Sequence, residues 1–192
     1  MGNTPRSLEA FRKSCDQFSR YGSDLLVQET MSYLCLLDEG EPTDSVLATA
    51  QKSAAFFARE NPGHGIFEFS KAVVGVIHKK RGEYTKAERI FTECLAICNK
   101  KRARQSLYGI YLQLCDLYFL AGDDKNGCLY LDLWAHLGKE YGYVYARTMD
   151  FPSLNRVLER AACESLQSTY CNLLRSYHDK NRRALRDRKS VV

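Results

Sequence analysis

Eight cysteines, four histidines and a set of clustered aromatic residues are where this chain could do chemistry. The cysteines are Cys15, Cys35, Cys94, Cys98, Cys115, Cys128, Cys163 and Cys171. A metal centre or redox pair needs a Cys-x-x-Cys spacing or a mixed Cys/His cluster. Neither occurs. Cys94 and Cys98 come nearest, four residues apart on one face of a helical stretch, but no further ligands accompany them. Most cysteines stand at apolar positions of helical patterns, so they read as small buried hydrophobes of a reducing compartment.

His64 sits in Asn61-Pro62-Gly63-His64-Gly65, where an imidazole and backbone amides could meet a ligand. Clusters of this composition are more often plain turns. His78, His136 and His178 fall on separate helical segments. None has a nucleophile and carboxylate at a spacing that would build a triad. Asp123-Asp124 lies at a turn, where a following helix N-terminus already favours carboxylates. No catalytic residue, cofactor site or metal site is expected, and the chain does not read as an enzyme.

Binding is the remaining chemistry. Tyr108, Tyr111, Tyr118, Tyr130, Trp134, Tyr141, Tyr143 and Tyr145 crowd about one fifth of the chain. Tyr108, Tyr111, Tyr118, Trp134 and Tyr141 are the candidate lining of a groove for a protein or peptide partner or a small effector. The alternative is ordinary core packing, which large aromatics dominate. Lys79-Lys80-Arg81 and the 100–104 cluster lie at helix ends, where cations are favoured and expected to be exposed.

The elements that must carry these residues are helices. Ser7 to Arg20, Asp24 to Asp38, Asp44 to Glu60, Ile66 to Lys80, Tyr84 to Lys100, Gln105 to Leu120 and Asp124 to Glu140 all show helical apolar stripes. Residues 142–149 read as irregular or loosely helical. Asp150-Phe151-Pro152 opens a short helix to about Glu164, and a last one starts at about Leu166 and runs beyond Tyr177. No segment alternates as a strand does, so the expected class is all-α. Turn glycines at Gly40, Gly82 and Gly122 stand 42 and 40 residues apart. Such self-similarity predicts stacked helical hairpins, a right-handed solenoid.

Length and charge limit the partners. A chain of 192 residues buries roughly 70% of its unfolded surface without staples. No apolar run reaches the roughly 18 residues of a membrane span. The first twenty residues lack a signal peptide's apolar centre, so the expected location is cytoplasmic. The net charge of +5 belongs to residues 175–192, with seven basic and two acidic side chains. The other 174 residues carry 21 of each sign. A neutral body gives no reason to expect direct nucleic-acid contact from this region.

The hairpin from Lys71 to Cys98 resembles a tetratricopeptide repeat. Gly75, His78, Gly82, Tyr84, Ala87, Phe91 and Cys94 fall at its signature spacing, with Gly75 and Ala87 at the close-packing positions. His78 replaces the usual Tyr and Cys94 the usual Ala. A second unit matches more weakly through Tyr111, Leu114, Cys115, Tyr118, Gly122, Gly127 and Leu131. The repeats span 68–101 and 108–141. The Gly40 unit is degenerate, and the excess over the standard period sits in connectors such as Asn99 to Arg104.

Further on, Pro152, Leu154, Leu158, Ala161, Ala162, Tyr170, Leu173, Leu174 and Arg175 resemble the segment that closes the repeat region of large LuxR-type and activator-type bacterial regulators. Ser165-Leu166 stands where those proteins usually have Gly-Ile. These resemblances cover about 66–178 and imply a tetratricopeptide-like repeat domain over 1–178, with closing helices at 152–178. They also imply effector sensing or protein interaction in a transcription regulator of the signal-transducing ATPase class. A free-standing adaptor for a partner peptide is the alternative. The chain has no Gly-x-x-x-x-Gly-Lys-Ser/Thr phosphate loop. Residues 179–192 form a basic tail. Its last six read as a sequencing adapter translated in one frame, so the chain is expected to be a fragment.

Overall fold

The glycines that punctuate the apolar stripes sit in left-handed backbone. Gly22, Gly82, Gly122 and Gly142 have φ of 68°, 72°, 78° and 66°, a region that a Cβ makes costly. After each, an amide reaches back into the preceding helix. Ser23 N donates to Phe18 O, Glu83 N to His78 O, Asp123 N to Tyr118 O and Tyr143 N to Gly138 O, all at 2.9–3.0 Å. Arg102 makes the same turn without being glycine, at φ 56°, and Ala103 N reaches Cys98 O at 2.9 Å. Left-handed residues therefore stand at 82, 102, 122 and 142, one every twenty residues.

The computed structural model describes residues 4–37, 42–63, 65–146, 148, 150–163, 172, 174 and 176. Among them run eight helices: α1 (Thr4–Arg20), α2 (Asp24–Leu37), α3 (Asp44–Glu60), α4 (Gly65–Lys80), α5 (Tyr84–Lys101), α6 (Arg104–Leu120), α7 (Asp124–Tyr141) and α8 (Phe151–Cys163). The chain is all-α, and from α1 to α7 each helix packs on the next in sequential, antiparallel-like pairs. Side chains start several of them. Thr43 Oγ1 accepts from Val46 N, Asp123 Oδ1 from Asn126 N and Asp150 Oδ1 from Ser153 N. Gly40, His64, the final helix beyond 164 and the basic tail lie outside the described residues, apart from helical positions 172, 174 and 176.

Beyond sequence neighbours, the even-numbered helices touch in series: α2 on α4, α4 on α6, and α6 on α8. No pair of odd-numbered helices makes a comparable contact among the described residues. The two in the middle of that series, α4 and α6, are consequently the most buried. Every residue of α4 from Ala72 to Lys79 is buried, as is every residue of α6 from Leu112 to Leu117. A helix surrounded on all sides needs apolar residues all round. Helix α6 serves two core clusters at once. Ile110, Leu114 and Leu117 face α2–α5, while Tyr108, Leu112 and Cys115 face α7 and α8.

Small residues set the closest approaches. A Cβ on Gly75 would lie 2.7 Å from Phe91 Cε1, so α4 and α5 meet ring against backbone. Ala87 and Cys94 complete that contact and are fully buried, with Tyr84 packed at its edge. Residues 142–150 are not helical where described. They cross α6 at Gly109, where a Cβ would come within 2.9 Å of Ala146 Cβ and would overlap Thr148 Oγ1. This crossing carries the chain over α6, so that α8 packs on α6.

Candidate functional site

The aromatic residues do not form one groove. Tyr108 and Trp134 stack at 5.5 Å between ring centroids and are fully buried. They belong to the core and offer no surface to a partner, which corrects the groove assigned to them from sequence. The reason is register: Tyr108 and Cys115, seven apart, share the α6 stripe facing α7 and α8. Tyr111 and Tyr118 share another stripe and clasp Tyr130 of α7, at 6.1 and 5.5 Å. These three are half-buried. The Tyr118 hydroxyl donates to Glu88 Oε1 at 2.6 Å, which ties α6 to α5. Burial, and then Glu88, push the Tyr118 phenol well above its ordinary value. Tyr141 stacks on Tyr143 at 5.6 Å, and Arg104 lies 4.6 Å above its ring. Tyr145 is exposed.

Lys79 is a second correction. It was expected at an exposed helix end, but it is buried between α4, α6 and α8. Its ammonium donates to Gln113 Oε1 (2.6 Å), Asp116 Oδ2 (2.5 Å) and Ser153 Oγ (2.7 Å). Arg156 of α8 adds a two-pronged contact to Asp116 at 2.8 and 2.7 Å. Gln113 Nε2 donates to Asp150 Oδ2 and to Thr148 O. Two cations thus face two carboxylates, and each of Lys79's three protons has an acceptor. Burial pushes the Asp116 and Asp150 carboxyls up, but Lys79 and the surrounding hydrogen bonds outweigh it and hold both below their ordinary value. A saturated, charge-balanced cluster has no free acid or base. It joins three helices and holds Thr148 and Asp150 against α6.

The sequence carried one signal of this cluster. Gln113 and Asp116 are the polar interruptions of the apolar run from Leu107 to Leu120, three residues apart on one helix face. Their partners on α4 and α8 are 34 to 40 residues away.

Beside the cluster, the N-terminal parts of α4 and α6 and Thr148 line a half-open pocket of about 280 Å³. Phe69 and Ile110 supply apolar wall, while Gln105 and Ser106 stand at the α6 end. Glu68 lines it too and is 1% exposed. Lys101 Nζ pairs with Glu68 Oε1 at 2.6 Å from outside the lining, and also donates to Pro62 O. Neither Glu68 oxygen nor Thr148 Oγ1 makes a hydrogen bond, and none of the three atoms has surface open to the pocket.

The remaining sequence candidates are structural where described. Cys15, Cys35, Cys94, Cys98 and Cys115 are buried free thiols, and Cys128 is half-buried. Burial pushes the Cys98 thiol up to about 12 and Cys94 higher. His78 Nδ1 bonds Glu83 Oε2 at 2.6 Å, and exposed His136 faces Glu140. Asp123 caps α7, and Asp124 pairs with Arg160. Among the described residues no three His, Cys, Asp or Glu are grouped to hold a metal ion, and no helix is long and apolar enough to cross a membrane.

Neither the protein-family models, the curated proteins nor the solved structures contain a match to this chain. What fold and site define is a class: an all-helical domain of sequentially paired helices, with a buried polar cluster and an adjoining cavity.

Proposed function

We propose that this chain is a non-catalytic, tetratricopeptide-like solenoid that senses an effector or binds a protein partner within a bacterial transcription regulator. The observation that carries this reading is the helix arrangement. One helix per twenty residues, a left-handed residue at each turn from 82 to 142, and α2, α4, α6 and α8 in serial contact is how stacked hairpins are laid out. In such a stack the first helix of each pair lines the inner face, and an occupant there biases packing between pairs. The charged cluster spanning α4, α6 and α8 and the cavity beside it both lie along that series. The bias would pass to nucleotide- or DNA-binding modules elsewhere in the regulator. A free-standing adaptor that holds a peptide is the second reading, favoured by the half-buried Tyr111, Tyr118 and Tyr130 surface.

The coding sequence beyond residue 186 tests the regulator assignment. A frame that continues into a nucleotide- or DNA-binding module supports it. A natural stop directly after Val192 removes it and leaves the adaptor. Small-angle scattering tests the solenoid. A spherical profile, with no elongation or superhelical curvature, would overturn it.

A further inference from the structure

Residues 1–174 are neutral in sum, but the fold gathers charge of one sign at one end of the bundle. Residues 99–106, where α5 ends and α6 begins, carry Lys100, Lys101, Arg102 and Arg104 and no acidic side chain. Residues 139–145, where α7 runs into the connector, carry one lysine, one glutamate and three tyrosines. The two stretches are far apart in sequence and meet in space, because the Arg104 guanidinium lies 4.6 Å above the Tyr141 ring.

The cations here differ in what they hold. Lys101 is engaged by Glu68 and Pro62 O. Lys100, Arg102 and Arg104 are exposed, and among the described residues no carboxylate pairs with any of them. Arg104 is also held in place. Below it, Tyr141 stacks on Tyr143 at 5.6 Å, Tyr143 meets Tyr108 at 5.5 Å, and Tyr108 stacks on buried Trp134. A guanidinium seated on a ladder of rings rooted in the core keeps its N–H edge for an oxyanion and loses little freedom on binding one. Two residues beyond Tyr143, Tyr145 is 54% exposed.

We propose that this end of the bundle binds single-stranded nucleic acid. Lys100, Arg102 and Arg104 take backbone phosphates, and the Tyr145 ring stacks on a base. Uncommitted cations beside an exposed aromatic ring suit a single strand, which presents phosphates and unstacked bases together. A duplex keeps its bases stacked and would use the cations alone. An acidic peptide or an anionic membrane would likewise leave Tyr145 without a role. The proposal goes beyond effector sensing and does not depend on any module attached to this chain, so the regulator reading and this surface fail separately.

Fluorescence anisotropy of a short labelled oligothymidylate on the intact chain tests it. Binding should saturate in the range of about 1–100 µM at physiological salt and weaken as salt rises. Arg102→Gln/Arg104→Gln should weaken it by about tenfold or more. The same variant should cut the slope of log affinity against log salt by about 1.4, because each phosphate contact on a single strand contributes about 0.7. Tyr145→Ala should lower affinity severalfold and leave that slope unchanged, and Tyr145→Phe should restore it. All three side chains are exposed, so the circular dichroism of these variants should match the parent. The basic residues 175–192 are a rival contact. A photo-crosslinking thiothymidine strand separates the two, and should label the peptide that contains Tyr145. No binding, full affinity in the double-arginine variant or in Tyr145→Ala, labelling confined to 175–192, or equal binding of duplex DNA, polyglutamate or anionic vesicles would each overturn the proposal.

Discussion

Replacing Lys79 by Met tests whether the α4–α6–α8 cluster is a buried charge group. Met keeps the length of the side chain and removes its charge. Three hydrogen bonds disappear, to Gln113, Asp116 and Ser153. The cluster moves from two cations and two carboxylates to one and two, leaving net −1 out of water. Arg156 still covers Asp116, but Asp150 keeps only neutral donors, from Gln113 and Ser153. Breaking one side of a buried pair costs about 3–5 kcal/mol, against a total stability of about 5–15 kcal/mol. At roughly 2–4 °C per kcal/mol for a chain of this size, the melting temperature should fall by about 6–20 °C. Urea unfolding followed by circular dichroism measures it. The double variant Lys79→Met/Asp116→Asn restores charge balance, and should lose less than the sum of the single losses by about 0.5–3 kcal/mol. A Lys79→Met protein within about 1 kcal/mol of the parent, or strict additivity, would refute the reasoning. Either would mean that the ammonium reaches water.

Four further outcomes are expected. Asp116 and Asp150 titrate below their ordinary value, so their stabilisation is complete above about pH 4 and is lost as pH falls through the folded values. Urea midpoints should drop below that pH, and Asp150→Asn should flatten the drop; an unchanged acid limb contradicts the assignment. Gly75→Ala should lower stability by about 1–3 kcal/mol through the clash with Phe91, although alanine is the better helix former by about 1 kcal/mol; a raised melting temperature would mean that α4 and α5 are not in close contact. Arg102→Gly should raise stability by about 1 kcal/mol, because it relieves left-handed strain; a loss would show that the Arg102 side chain matters more than its backbone. Cys94 and Cys98, with raised thiol values and deep burial, should resist iodoacetamide in the native protein and react in urea; native labelling seen by mass spectrometry would place them at the surface.

The helices were legible because their signals are local. Apolar stripes, turn glycines and cap residues act within a few positions of themselves. Ser7 to Arg20 was expected, and α1 runs Thr4–Arg20; Tyr84 to Lys100 was expected, and α5 runs Tyr84–Lys101. The contact of Gly75 with Phe91 also joins neighbouring helices, so one hairpin's pattern contains it. The site was not legible in this way. Lys79 looks like any cation at a helix end until α6 and α8 bring acceptors to it from 34 to 74 residues away. Tyr108 and Tyr111 are three residues apart in sequence. Only the packing of α7 and α8 decides that one ring is core and the other half-exposed.

By itself, then, the amino-acid order determined an all-α chain, the extent of its helices, and where glycine must turn them. Helix formation depends on neighbours three and four residues away, and those are written side by side. Tertiary structure alone decided which helices lie innermost. It also decided that Lys79, Asp116, Asp150 and Arg156 form one balanced cluster, and that Glu68 and Thr148 come together in the lining of one pocket. Burial and charge balance are properties of what surrounds a group, and here that comes from three helices and a connector far apart along the chain.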